Sequence, residues 1–136
     1  MAFEESVLLK QELRNNVLIV DDEPHIVNLV RLSLDKEKYN VIGAYSAREA
    51  LKVLDRKEPD VVIVDLMMPG INGYELCQAI RGKAKTKNIP IIILSAKNQM
   101  NDKLHAIDVG ADDYITKPFD PIELERRIKL NLKNAG

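Results

Sequence analysis

The chain has 136 residues, 46% hydrophobic and 30% charged, the size and make-up of one folded domain rather than of a disordered chain. Twenty Lys and Arg against 21 Asp and Glu leave a formal charge of −1, so no global field is present to hold a polyanion, which argues against nucleic-acid binding by bulk charge. No apolar run approaches the roughly 20 residues that span a bilayer. The longest candidates, Val61–Val64 and Ile91–Leu94, are strand-sized. Residues Met1 to Glu5 carry acids where a signal peptide would carry bases. The single cysteine, Cys77, rules out an internal disulfide and a cysteine-built metal site, and a reduced, cytoplasmic setting is expected. Trp is absent and aromatics are 4%, which weakens readings that need stacking platforms for bases or flavins.

In chain order, residues 1–15 read as an extension, in which Val7, Leu8, Leu9 and Leu13 suit a short helix or a linker. Val17-Leu18-Ile19-Val20 follows as the first strand. Its continuous apolar character suggests burial on both faces of a parallel sheet. Pro24 to Leu34 has Ile26, Val27, Val30 and Leu34 on one helical face, with Pro24 in the first turn beside Asp22 and Glu23. Asn40 to Ala44 is a weaker strand. Ser46, with Glu49 three residues on, is a capping-box spacing that opens a helix over Ala50, Leu51 and Leu54. Val61–Val64 is the third strand, and Leu76, Cys77 and Ile80 mark the third helix. Ile89 to Leu94 is the fourth strand. Leu104 and Ile107, with Met100 more loosely, form a stripe on the fourth helix. Tyr114 to Thr116 is a brief fifth strand. Asp120-Pro121 with Glu123 opens a last helix with Ile122, Leu124, Ile128 and Leu132 on one face.

Five strands alternating with five helices predict an α/β fold, a doubly wound five-stranded parallel sheet in the flavodoxin-like order 2-1-3-4-5, spanning residues 16–133, with 134–136 as a tail. Ligands in such a sheet bind beyond the carboxyl ends of the strands. Those ends carry Asp21 and Asp22, then Asp65, then Ser95, then Lys117. Three carboxylates together repel one another, and a hard divalent cation removes the repulsion. No His or Cys falls on this rim, which argues against zinc or copper. A Lys and a hydroxyl beside the acids suit phosphoryl oxygens, so the set reads as a phosphoryl site with an aspartate nucleophile. Taken singly, Asp22 or Ser95 would more readily be a helix cap, and Lys117 a solvated surface charge. The conjunction after four separate strands is what points to chemistry.

Four motifs, in order and at these spacings, make the chain resemble the receiver domain of two-component response regulators. They are Val17-Leu18-Ile19-Val20-Asp21-Asp22-Glu23-Pro24, Val61-Val62-Ile63-Val64-Asp65-Leu66-Met67-Met68-Pro69-Gly70, Ile91-Ile92-Ile93-Leu94-Ser95-Ala96-Lys97, and Gly110-Ala111-Asp112-Asp113-Tyr114-Ile115-Thr116-Lys117-Pro118-Phe119. The resemblance implies that Asp65 is the phosphoacceptor, phosphorylated from a sensor histidine kinase or phosphotransfer protein. It implies Mg2+, or Mn2+ in its place, held by Asp21, Asp22, Asp65 and the Met67 backbone carbonyl. Ser95 matches the switch hydroxyl and Ala96 the small residue beside it. Lys117 matches the phosphoryl-contacting lysine, and Tyr114 the switch aromatic that turns inward when Ser95 moves. The Lys117–Pro118 bond is implied to be cis. All these positions are occupied, which disfavours a degenerate receiver.

The outward charges Lys103, Asp108, Asp113, Glu123, Arg127 and Lys129 are similar to those of the winged-helix transcription-factor class. In that class, pairs of the type Lys103–Glu123, Asp108–Lys129 and Asp113–Arg127 join two receivers through the fourth helix, fifth strand and fifth helix. The plainer reading is a solvated face with intrachain pairs, since surface pairs are worth about 0–1 kcal/mol each. The expected role is a phosphorylation-controlled switch acting on an output domain or partner, not an enzyme on outside substrates, with no membrane and no direct nucleic-acid contact. An aspartyl-phosphate phosphatase would need a second acid where Met67 stands. A flavodoxin would want a Ser/Thr/Gly-rich loop where Asp21-Asp22-Glu23 stands. Of the remaining residues, His25 and His105 read as surface or packing positions, Cys77 as core, and Lys83, Lys85 and Lys87 as a solvated basic loop.

Overall fold

The structure, a computed structural model, describes residues 4–5 and 13–135. It contains β1 (Asn15–Val20), α1 (Pro24–Ser33), β2 (Tyr39–Ala44), α2 (Ala47–Arg56), β3 (Val61–Val64), α3 (Gly73–Arg81), β4 (Ile91–Ser95), α4 (Met100–Asp108), β5 (Asp113–Thr116) and α5 (Pro121–Ala135). The five strands form one parallel sheet in the order β2-β1-β3-β4-β5, as the alternating pattern predicts. The short-helix reading of Val7, Leu8 and Leu9 lies outside the described residues.

The unbroken apolar runs mark the three central strands. Every residue of β3 and β4 is buried, because helices cover both faces of the sheet. On one face Leu18, Val20, Val62, Val64, Ile91 and Ile93 meet α2, α3 and α4 through Ala50, Leu54, Leu76, Cys77, Ile80 and Ala106. On the other, Val17, Ile19, Ile63, Ile92 and Leu94 meet α1 and α5 through Val27, Val30, Leu124 and Ile128. Each such side chain fully buried contributes about 1.5–3 kcal/mol. β2 is an edge strand with a mostly half-buried pattern, which is why its apolar signal is the weaker one.

Helix starts follow local chemistry, with two departures from the expected pattern. Ser46 accepts from the Glu49 amide at 3.1 Å, but the Glu49 carboxylate turns back to the Tyr45 amide at 2.6 Å rather than to Ser46, so the box closes one residue early. A complete capping box lies instead at Asn72 and Glu75 on α3. Asp120 caps α5 by accepting from the Ile122 amide at 2.8 Å.

Two apolar stripes need correction. On α4, Met100 is 68% exposed, Leu104 51% and Ile107 64%, and the helix buries Ala106 instead. Ile122 on α5 is 80% exposed, while Leu124 and Ile128 fill the core. Periodicity finds a face but not its direction, and here the small Ala106 lets α4 lie close to the sheet while its larger apolar residues point out.

Candidate functional site: an acidic pocket at the strand ends

Parallel register brings the strand ends together. Val20 pairs with Val64, so Asp21 and Asp65 each stand one residue beyond a matched couple. The Asp65 amide donates to the Val20 carbonyl at 3.0 Å, and the Lys117 amide to the Ser95 carbonyl at 2.8 Å. Asp21, Asp22 and Asp65 each offer a carboxylate oxygen within 4.8 Å of the others. Asp21 and Asp65 are buried and Asp22 is exposed, so the cluster opens to solvent on the Asp22 side.

Lys117 faces the acids. Its ammonium lies 2.6 Å from Asp21 Oδ2 and 3.2 Å from Asp65 Oδ2. Burial alone would lower the Lys117 pKa, but the hydrogen bond to Asp21 and the charge of Asp65 hold it above its ordinary value. Burial lifts Asp21 above the usual carboxylate range, against the hydrogen bonds from Lys117 and the Glu23 amide. One ammonium balances one of three carboxylates. The uncompensated charge, the oxygen-only donor set and the open side together fit a hard divalent cation with room for water and phosphoryl oxygens.

The β3–α3 turn holds Asp65 in place. Met67 donates its amide to Asp65 Oδ1 at 3.1 Å while its side chain is exposed, so the backbone of this turn, not the thioether, serves the pocket. Gly73 opens α3 against the same turn, and a Cβ there would lie 2.3 Å from the Asp65 carbonyl oxygen. The Asp22 and Ser95 capping alternatives do not hold. Glu23 is the N-cap of α1, and Ser95 ends β4 with Gln99 capping α4.

The other positions singled out by the resemblance cluster at the end of β4. Ser95 is buried, and its hydroxyl accepts from the Lys97 amide at 3.3 Å. Ala96 beside it is exposed. Tyr114 is half-buried, packs against the core side chains and donates its hydroxyl to the Lys97 carbonyl at 2.6 Å. Burial pushes its phenol up to about 12, with Tyr74 and Asp102 adding to the rise and the Ser95 hydroxyl opposing it. The contact with the Lys97 carbonyl and the packing on the core place the Tyr114 ring inward. The Lys117–Pro118 peptide bond is cis.

Four of the six expected dimer charges, Asp113, Glu123, Arg127 and Lys129, are engaged within the chain. Arg127 pairs with Asp113, which Asn131 also contacts at 2.9 Å. Glu123 pairs with Arg126 and Arg127, and Lys129 with Glu125. Lys103 lies 5.8 Å from the centre of the Tyr114 ring. Two features escaped the sequence reading. Gly73 could have been noticed as a glycine at a helix start. The stack between Tyr74 and His105, 31 positions apart, has no local signal.

Residues 17–129 match the response regulator receiver domain family. The chain belongs to that family. It is thus a receiver domain, a phosphoacceptor unit of two-component signalling. It is 46% identical over 121 residues to the regulatory protein VanR of Enterococcus faecium, covering 89% of this chain and 51% of that protein. The chain spans about half the length of the curated relatives it matches. Among solved structures, a response regulator from Chloroflexus aurantiacus superposes with a TM-score of 0.84 at 38% identity, covering 88% of this chain and 98% of that one. The receiver domain of a sensor histidine kinase from Pseudomonas aeruginosa superposes with a TM-score of 0.81 at 26% identity, covering 88% and 98%, and holds a magnesium ion in its active-site cleft. Receiver domains bind Mg2+ at an acidic pocket of this kind. No helix among the described residues is long and apolar enough to cross a membrane.

Proposed function

We propose that Asp65 is the phosphoacceptor of this receiver and that Lys117, Ser95 and Tyr114 relay its phosphorylation to the α4-β5-α5 surface. The observation that carries the reading is the convergence of three carboxylates within 4.8 Å, two of them touching the Lys117 ammonium. One oxygen of the Asp65 carboxylate forms a bond to phosphorus as the P–N bond of a phosphohistidine on a sensor kinase or phosphotransfer protein breaks. The imidazole leaves with the electron pair, and the product is an acyl phosphate.

Mg2+, or Mn2+ in its place, held by Asp21, Asp22, Asp65 and the Met67 carbonyl, supplies charge neutralisation for the phosphoryl oxygens. Lys117 moves from its present carboxylate partners to a phosphoryl oxygen without leaving the pocket. The Met67 amide, already on Asp65, keeps the acceptor oriented. Ser95 donates its hydroxyl toward the new anion, and exposed Ala96 leaves the approach clear. The phosphoryl group carries about −1.5 to −2 charge units and replaces the −1 of the Asp65 carboxylate, so the net gain at this buried position is about −0.5 to −1, relocated onto three new oxygens that can bias a two-state element. Tyr114 holds its inward place when Ser95 has moved, and α4 adjusts with it. The chain turns over only its own phosphoryl group, and its output passes to a further domain or a partner, including a second copy through α4-β5-α5.

The test is incubation with Mg2+ and acetyl phosphate beside an Asp65→Ala variant, read by intact mass. A Mg2+-dependent gain of one phosphoryl group that vanishes in the variant supports the reading. An adduct that persists in Asp65→Ala moves the acceptor elsewhere. Failure to bind both acetyl phosphate and beryllofluoride in Mg2+ overturns it.

A further inference from the structure

Tyr74 lies outside the acidic pocket, yet it reaches from α3 to α4 and to the β4–α4 loop beside the switch. It is the second residue of α3, directly after Gly73, whose missing Cβ lets the helix start against the Asp65 carbonyl. Its ring stacks on His105 of α4 with centroids 4.0 Å apart and planes 17° from parallel. Its hydroxyl reaches the Asp102 carbonyl in the first turn of α4 at 3.4 Å. The Lys97 ammonium stands 5.9 Å from its ring centre, and the Lys97 carbonyl is the acceptor that holds Tyr114 inward. The α4 helix otherwise has a thin attachment, since among its nine residues it buries only Ala106. A ring pair joining α3 to α4 is thus a substantial part of what fixes α4.

We propose that the Tyr74–His105 stack is a positioning clasp that holds α4 and the β4–α4 loop in the arrangement with Tyr114 inward, and so raises the affinity of the pocket for a phosphoryl group. The inference rests on the proposed acceptor site. The physical chain is short. Tyr74 is fixed to the acceptor turn through Gly73. The stack carries that position to α4. The first turn of α4 continues from the loop whose Lys97 carbonyl receives Tyr114. An aromatic pair of this geometry has a worth beyond its buried area that corresponds to about a two- to tenfold change in an equilibrium. A ligand that prefers the inward state gains affinity by the factor through which that state is populated.

His105 is exposed, so its substitution spares the core. The test compares wild type, His105→Ala, His105→Leu and His105→Phe. Each is titrated with beryllofluoride in Mg2+ and read by 19F resonances of 3-fluorotyrosine, which the four tyrosines supply. The expected result is about two- to tenfold weaker beryllofluoride binding in the Ala and Leu variants, with the Tyr114 resonance shifted toward a solvent-exposed value before ligand is added. The Phe variant, which keeps a flat ring, restores both. Equal affinity in all four proteins overturns the clasp, as does tighter binding in His105→Ala, which would assign the stack to the resting arrangement. A Phe variant as weak as the Ala variant overturns the role of stacking. If wild type itself binds no beryllofluoride, the acceptor reading fails first and the clasp falls with it. The exposure of Tyr114 in ligand-free His105→Ala still reports the α3–α4 coupling separately.

Discussion

Gly73 and Asp65 approach so closely that a methyl group on Gly73 would sit 2.3 Å from the Asp65 carbonyl oxygen and 2.7 Å from the Leu66 Cα. Both neighbours are backbone, so neither can swing aside. The Gly73 amide also donates to the Leu66 carbonyl at 3.2 Å. Gly73→Ala is expected to displace the turn that carries the acceptor, at a cost of about 1–3 kcal/mol in stability. Phosphorylation should slow more than the stability loss explains. Urea denaturation and a time course with acetyl phosphate, run on the same protein, check both.

Lys117 competes with any bound cation for Asp21 and Asp65, which lie 2.6 and 3.2 Å from its ammonium. Lys117→Met should therefore keep or strengthen Mg2+ binding, since a positive charge leaves the pocket. The rate of adduct formation should fall about a hundredfold, as when one preorganised donor is removed from a developing anion. Calorimetric Mg2+ titration and intact-mass kinetics separate the two effects. A variant that lost Mg2+ binding and folding together would make Lys117 a structural residue only.

Asp113 gives a pH prediction. Burial alone would raise its pKa, but hydrogen bonds from Arg127 and Asn131 and from the Tyr114 amide outweigh burial and hold the carboxyl below its ordinary 3.8. A carboxyl lowered in the folded state stabilises the fold at pH values above the unfolded value, and that contribution is lost as pH falls through the lowered folded value. Asp113→Asn should cost about 1–3 kcal/mol at pH 7, since it weakens hydrogen bonds to a charged group. The difference between the two proteins should stay constant near neutrality, begin to shrink as pH falls through the ordinary carboxylate value of 3.8, and be gone below the lowered folded value. Urea midpoints measured from pH 7 downward test the sign.

The exposed side of α4 offers a fourth prediction. Ile107, 64% exposed, also lines a cleft of about 340 Å3 with Lys103, Tyr114 and Arg127. Arg127 is already held by Asp113, so apolar contact rather than a new ion pair would dominate a second copy docking there. Ile107→Glu should abolish any phosphorylation-dependent dimer while changing adduct formation by less than about twofold, because surface substitutions away from special contacts cost little. Light scattering with and without acetyl phosphate reads the first effect, and intact mass the second.

Much of the site was legible because a parallel sheet makes its chemistry local to strand ends. Asp21, Asp65 and Ser95 each end or follow an unbroken apolar run, and a ligand site at that edge follows from topology. The α4 stripe was misread for the opposite reason. Periodicity locates Met100, Leu104 and Ile107 on one side of a helix, but which side meets the sheet is a matter of packing between elements. The charged positions Arg127 and Asp113 were likewise visible as charges, while their mutual pairing depends on α5 lying beside β5.

By itself the amino-acid sequence determined the five strands and five helices, the order of the sheet and the polar groups gathered at its carboxyl edge. These follow from apolar runs, caps and spacings that act over a few residues. Only the tertiary structure decided that Lys117 bridges Asp21 and Asp65, that Gly73 must lack a side chain, that α4 turns its larger apolar residues outward, and that Tyr74 lies flat on His105. Each depends on distances between groups far apart in the chain, and those distances are set by how closely helices can approach a packed sheet.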